Sequence, residues 1–338
     1  MSEQQNSKEQ KRNSSTELPK NDVCVNSEIL KGSKQRKPQF GTRFLKDENV
    51  VYQYNAWDNV EWSEEQLNAA RKIILSQSEC KMSNTDFKKM EKNAKQHWNE
   101  FYGVHQNGFY KDRQWLFTEF PELSFESYSS SSSNSIHCDT RIILEVGCGV
   151  GNSVFPILQR NPDPNIHVYC CDFSETAIHI LKNDIAYESN RCTAFTYDLT
   201  EDTKSLPLQL NSIDIILMVY VLSSIPPNKM KSVLSKLFQY LKPGGLLLFR
   251  DYGRYDLAQL RFKNNHYISD NFYARGEGTL VYFFDENELK QMFLNCGYEV
   301  IQNISDRRLQ VNRKKQLKMY RVWIQGKYVK PHGKIDNK

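Results

Sequence analysis

The chain has 338 residues, 39% hydrophobic and 25% charged, enough to bury a substantial core and typical of a globular protein. Its 45 Lys and Arg against 40 Asp and Glu are too evenly matched to demand a polyanionic partner by themselves, and apolar runs such as Ile213 to Leu222 fall short of the roughly 18 residues that cross a bilayer. The eight cysteines are scattered without paired CxxC units, which argues against a disulfide framework or a zinc site and for reduced, buried thiols; no metal is expected.

Residues 1–38 are polar and poor in aromatics, and read as a disordered tail that cannot bury enough surface to offset its ordering entropy. The stretch Met1 to Asn26 lacks an apolar h-region and contains Glu, so a cytoplasmic location is expected. Residues 39–125 then turn rich in aromatics, among them Trp57, Trp62, Trp98, Tyr102 and Trp115, and read as a folded, mainly helical module. The serine run inside 126–140 has no periodicity and reads as a linker.

From 141 to 330, strand-like runs alternate with amphipathic stretches: Ile142 to Val146, a helix near Ser153 to Gln159, Val168 to Cys171, a helix from Glu175 to Asn183, and Ala194 to Tyr197. Ile213 to Val221, a helix from Lys229 to Leu241 and Leu246 to Phe249 follow, and Tyr298 to Ile304 with Tyr320 to Tyr328 supply an antiparallel edge hairpin. Such alternation specifies an α/β fold: a doubly wound, mostly parallel sheet, expected to have seven strands with an antiparallel edge strand, beside the N-terminal module. Residues 331–338 read as a short tail.

Directly after the first strand stands Glu145-Val-Gly-Cys-Gly-Val-Gly-Asn152, where Gly147 and Gly149 permit positive φ and close approach of a ligand. The second strand ends at Asp172, placed to accept hydrogen bonds from two ribose hydroxyls. A dinucleotide and S-adenosylmethionine both suit these two features. The third strand adds Asp198-Leu199, an acid for an adenine amino group and a backbone N–H for its ring, and Leu241-Lys-Pro-Gly-Gly245 adds a helix stop before the fifth strand. This succession resembles the Rossmann-like S-adenosylmethionine methyltransferases, which makes S-adenosylmethionine the expected cofactor.

The fifth strand ends in Arg250-Asp251, at the carboxyl edge where open α/β sheets place their chemistry. Beyond it, cations interleave with aromatics: Arg254, Arg261-Phe262-Lys263, Phe272-Tyr273-Ala274-Arg275 and Tyr282-Phe283-Phe284. That mixture suits an unstacked base flanked by phosphates, although Phe283 and Phe284 read better as core. Between Asp306 and Lys330 lies a basic run including Arg307, Arg308 and Arg313, a candidate phosphate surface.

Several long strings resemble one family, the methyltransferase-like tRNA 3-methylcytidine methyltransferases: Phe40-Gly-Thr-Arg-Phe-Leu45, Asn55-Ala-Trp-Asp-Asn-Val-Glu-Trp62, His97-Trp-Asn-Glu-Phe-Tyr102, Lys111-Asp-Arg-Gln-Trp-Leu-Phe-Thr-Glu-Phe120, Arg250-Asp-Tyr-Gly-Arg-Tyr-Asp256 and Asp306-Arg-Arg-Leu-Gln-Val-Asn-Arg313. The resemblance implies methylation of N3 of the cytidine opening a tRNA anticodon loop, in threonine or arginine tRNAs. A protein adaptor or an aminoacyl-tRNA synthetase is a further implied partner. It also implies that Trp98 and Tyr102 close over the cofactor and that Gly147, Asp172, Asp198, Leu199 and Val219 contact it.

Arg43, Arg254, Arg261, Lys263, Arg275, Arg307, Arg308 and Arg313 are the candidate tRNA contacts. Asp251 is the expected catalytic residue, an electrostatic partner for the charge that methylation leaves on the ring, with Arg250 positioning it or a phosphate. Two other readings stand beside this one: a catalytically silent tRNA-binding subunit and a small-molecule methyltransferase.

Overall fold

The computed structural model describes residues 39–124 and 140–333. The expected N-terminal tail, nearly all of the serine linker and residues 334–338 lie outside them. Ahead of the first long helix, Ala56–Asp58 forms a short strand, β1. Helix α1 (Glu64–Glu79) begins at a reciprocal cap: Ser63 Oγ accepts from Gln66 N while the Gln66 side chain accepts from Ser63 N, with Glu64 and Glu65 in the electropositive first turn. Ser83 caps α2 (Asn84–Lys92) in the same sense, α3 (Ala94–His105) follows after Asn93, and α4 (Leu116–Glu119) is a single turn.

The remainder alternates as the pattern dictates: β2 (Arg141–Val146), α5 (Val154–Arg160), β3 (Ile166–Asp172), α6 (Glu175–Lys182), β4 (Cys192–Thr196), β5 (Ile213–Val219), α7 (Pro227–Tyr240) and β6 (Leu241–Tyr252). A one-turn helix α8 (Leu257–Leu260), three short strands β7 (Tyr267–Ser269), β8 (Phe272–Ala274) and β9 (Leu280–Tyr282), helix α9 (Glu286–Leu294) and the long hairpin β10 (Glu299–Asn312) and β11 (Leu317–Val329) complete it.

The main sheet has the order β1-β10-β11-β6-β5-β2-β3-β4, with β2 to β6 mutually parallel and β11 antiparallel to β6. It has one strand more than the seven expected. The addition is β1, which the N-terminal segment lays antiparallel on β10, with Trp57 opposite Leu309; three residues are too few to show a period-2 pattern. Trp57 is anchored by its indole N–H donating to Val51 O and packs with Val51, Leu309 and Val311.

Strand β6 also begins earlier than expected, at Leu241. The Gly244-Gly245 pair lets it bulge against β5 instead of turning: Gly244 has φ +80°, and a Cβ on Gly245 would meet Lys242 O at 2.9 Å. Strand β9 joins β7 and β8 in a separate three-stranded sheet, and Phe283 and Phe284, just beyond it, are fully buried, as expected of core.

Both faces of the parallel sheet are covered, which is why its strands read as nearly continuous apolar runs. On one face Leu116, Phe120 and Leu123 of the N-terminal segment pack with Val154, Ile157, Ile178 and Leu181; on the other α7 and α9 bury Leu234, Leu237, Leu289 and Phe293. The order reverses between β2 and β5, and the carboxyl ends of these strands open onto the crevice where such sheets bind ligands. Among the described residues no helix is long and apolar enough to cross a membrane.

Candidate active site

Two cavities meet at this crevice. The first, about 230 Å³, is lined by Gly147, Asp172, Phe173, Tyr197, Asp198 and Leu199 from the strand ends, by Tyr220, Val221 and Ser224 after β5, and by Trp98 and Tyr102 of α3. The second, about 250 Å³, is lined by Tyr110, Lys111, Arg113, Trp115, Ser223, Tyr252, Arg275, Arg321 and Trp323. Trp98, Tyr220, Ser224 and Leu280 belong to both walls.

The glycine turn is built for close approach. Gly147 and Gly149 have φ of +61° and +54°, and a Cβ on either would lie 2.3 Å from Val221 Cγ2 or 2.6 Å from Tyr102 Oη. Asp172 holds the turn: its Oδ2 accepts from Gly149 N (2.9 Å) and its Oδ1 from Ser174 N (2.9 Å). Burial pushes the Asp172 carboxyl up to about 6, against those backbone hydrogen bonds. Asp198 lines the same cavity while its Oδ1 caps Thr200 N and Thr200 Oγ1, so its other oxygen remains available to a ligand.

Helix α3 closes over this turn, with Trp98 stacked on Tyr102 at 5.9 Å and Asn99 Oδ1 accepting from Ser174 Oγ. Ion pairs from Lys95 to Glu175 and from Glu91 to Lys229 tie the same segment to the sheet domain. Val219, expected among the cofactor contacts, is instead 1% exposed and turned into the core with Leu217 and Leu248, because alternation along β5 sends it away from the crevice. Tyr220 and Val221 take its place on the wall.

Tyr220 was not singled out by sequence. It stands at φ +60°, a left-handed conformation that costs a tyrosine about 1 kcal/mol or more, and it lines both cavities. Tyr252 lies 5.1 Å from that ring and the Arg113 guanidinium 5.9 Å from it. Arg113 Nη1 also donates to Ser153 Oγ (2.8 Å) and Glu145 Oε1 (3.4 Å), which brings the segment after Tyr110 onto the glycine motif. Glu145 Oε2 is buried without a partner among the described residues, and burial pushes this carboxyl up to about 7. The only sequence signal for Arg113 was its place in the Lys111-Asp-Arg string.

Asp251 lies beneath the crevice floor and lines neither cavity. It is fully buried, its Oδ2 accepts from Ser223 N (2.9 Å) and its Oδ1 from Tyr252 N (2.8 Å), so in this conformation it shapes the Ser223-Ser224 turn. Burial pushes its carboxyl up to about 6, opposed by Ser223, Tyr252 N–H and the Arg275 cation.

Arg250 does not touch Asp251 in this conformation. Its side chain, on the opposite face of β6 from Asp251, is sandwiched between Trp115 (5.2 Å) and Trp323 (5.0 Å) and donates to Asp306 Oδ2 and Gln325 Oε1.

The candidate tRNA contacts disperse. Arg275 lines the second cavity over the Tyr252 ring at 5.4 Å. Arg308 is half-buried and pairs with Asp306, Glu119 and Asp58. Arg254 is half-buried over Tyr255, whereas Arg261, Lys263 and Arg307 are exposed. Arg43 is exposed over Tyr54, and Arg313 lines a shallow groove at the hairpin tip with Asn55 and Lys314. Arg321, missed as a site residue, reaches the second cavity from β11 while paired with Asp256 at 2.8 Å.

A profile described as "Methyltransferase domain" matches residues 144–247, which contain the glycine turn, Asp172 and Asp198. The chain is 49% identical over 321 residues to the tRNA N(3)-cytidine methyltransferase METTL2 of Xenopus tropicalis, covering 88% of this chain and 95% of that one. It belongs to the tRNA N(3)-cytidine methyltransferase family. As a member of that family it is an S-adenosylmethionine-dependent enzyme. Within the same family, the tRNA N(3)-methylcytidine methyltransferase Mettl2 of Drosophila melanogaster is 50% identical over 298 residues, covering 88% of this chain and 90% of that one. The tRNA(Thr) (cytosine(32)-N(3))-methyltransferase of Saccharomyces cerevisiae is 40% identical, covering 87% of this chain and 46% of the longer yeast protein.

Proposed function

We propose that this chain methylates N3 of a cytidine in tRNA, with the cofactor in the first cavity and the target base in the second. The observation that carries the reading is the shared wall: Trp98, Tyr220 and Ser224 face both spaces, so a donor in one and an acceptor in the other meet there. The first cavity fits S-adenosylmethionine on its own chemistry. Asp172 and Asp198 accept from hydroxyl and amino groups, Leu199 offers backbone to an adenine ring, and Gly147 lines the cavity with a bare Cα that leaves room for the Val221 wall. Bound there, S-adenosylmethionine supplies an electrophilic methyl group.

The chain's own residues hold the base and exclude water. Tyr252, Tyr110 and Trp323 offer stacking faces, and the cavity's cations suit the flanking phosphates. Cytosine N3 has a free lone pair at neutral pH, so no general base is required; orientation and enclosure carry the rate. Asp251 acts through Ser223 and Tyr252, whose backbone it fixes, and supplies the negative charge beneath a ring that becomes positive. By analogy with the yeast relative the target is position 32 of threonine tRNA, and arginine tRNAs belong to the same proposal. A protein adaptor or an aminoacyl-tRNA synthetase that presents the tRNA completes it.

Incubation with labelled S-adenosylmethionine and total tRNA, followed by mass spectrometry of the nucleosides, tests the reading. 3-Methylcytidine supports it. Salt-sensitive tRNA binding without product would point to a required partner or to the silent-subunit reading, which adding an adaptor protein separates, and methylation of small molecules alone would overturn the RNA assignment.

A further inference from the structure

The cations of the second cavity are not equivalent. Four reach its wall, Lys111, Arg113, Arg275 and Arg321, and among the described residues no carboxylate does. Two of them are already neutralised, Arg113 by Glu145 and Arg321 by Asp256. Lys111 is exposed, where solvent screens it. Arg275 is different: it is half-buried, lies over Tyr252, and has no ion pair among the described residues. Its backbone is fixed by a turn in which Arg275 N donates to Thr279 O (2.7 Å) and Gly278 N donates to Arg275 O (3.0 Å). Opposing it is the carboxylate of Asp251, fully buried under the floor, which accepts from Ser223 N and Tyr252 N and feels the Arg275 charge.

A cytosine methylated at N3 carries a formal positive charge that the unmodified base lacks. Substrate and product therefore differ electrostatically at the place where Arg275 and Asp251 act in opposite senses. Resting on the proposed function, we infer that Arg275 is a specificity-determining residue: its charge makes the cavity a better host for unmodified cytosine than for the methylated base, so that the product is expelled. Asp251 stabilises the charge as it develops, and Arg275 limits how tightly the charged ring is then retained. At separations of about 6–10 Å and an effective dielectric near 20, one full charge alters such a preference by about tenfold or more.

The test compares two anticodon-arm RNAs, one with cytidine and one with 3-methylcytidine at the target position, binding to protein loaded with S-adenosylhomocysteine so that no turnover occurs. Any steric effect of the methyl group is common to all variants, so the ratio of the two dissociation constants is compared between wild type and R275Q. R275Q is expected to shift that ratio about tenfold towards the methylated RNA, R275K to keep it, and K111Q to weaken both RNAs equally. An unchanged ratio in R275Q, with both proteins folded by circular dichroism, overturns the inference while leaving the function intact. If wild-type protein neither binds nor methylates the cytidine arm, the proposed function itself fails and this inference with it.

Discussion

Gly149 is the position where backbone and lid can be separated by experiment. Alanine there must accept φ +54°, which costs about 1–2 kcal/mol, and must place its Cβ 2.6 Å from Tyr102 Oη, an overlap worth about 1–3 kcal/mol if α3 stays closed. The two terms have different remedies. Removing the Tyr102 hydroxyl leaves the ring carbon Cζ, at 3.3 Å, as the nearest atom, so Y102F relieves the overlap but not the backbone strain. G149A should weaken S-adenosylhomocysteine binding by about 2–5 kcal/mol, roughly thirtyfold or more, and the G149A/Y102F double variant should recover at least about 1 kcal/mol of that loss. Isothermal titration of the four proteins, with urea denaturation to track stability, closes the cycle. Strict additivity would refute the argument, because the Tyr102 hydroxyl would then not be what Gly149 makes room for.

Arg250→Ala should destabilise the protein by about 2–4 kcal/mol in chemical denaturation, since it takes from the fully buried Asp306 its buried partner and leaves it only the half-buried Arg308; loss of activity at unchanged stability would restore a catalytic role to Arg250. Glu145 titrates near 7 when folded against an ordinary 4.5, so the folded state binds more protons between those values and stability falls as pH rises through that window. E145Q should flatten that fall, which denaturation midpoints at either end of the window would measure; an unaltered slope would remove Glu145 as its source. At the hairpin tip, R313A and K314A should weaken binding of all RNAs alike and each lower the salt slope by about one, and sequence-dependent losses would contradict a phosphate role.

What the sequence revealed of this site follows from how local each feature is. Gly147, Gly149, Asp172 and Asp198 sit at strand ends within short spacings, and their order alone points to the cofactor. The second cavity draws on α3, the segment after Tyr110, the turn after β5, the end of β6, the Arg275 turn and β11, and no contiguous string carries that convergence. Arg250 and Asp251 are adjacent in sequence yet face opposite sides of β6, so they could not share a task, and the partner that claims Arg250 is far along the chain at Asp306. Arg308 is similar: its charge and the nearby Asp306 were visible, but its pairing with the distant Glu119 and Asp58 was not. Tyr220 carried no sign of its positive φ.

Strand β1 joins one end of the chain to the other, because Trp57 pairs with Leu309 after almost the entire domain has intervened. During synthesis this pairing cannot form until the β10–β11 hairpin has left the ribosome, so a segment made early is among the last to find its place. Until then β10 presents a bare edge to other nascent copies. A shortened protein beginning after Asp58 would keep that edge permanently, and aggregation during expression, more than loss of activity, would be its first symptom.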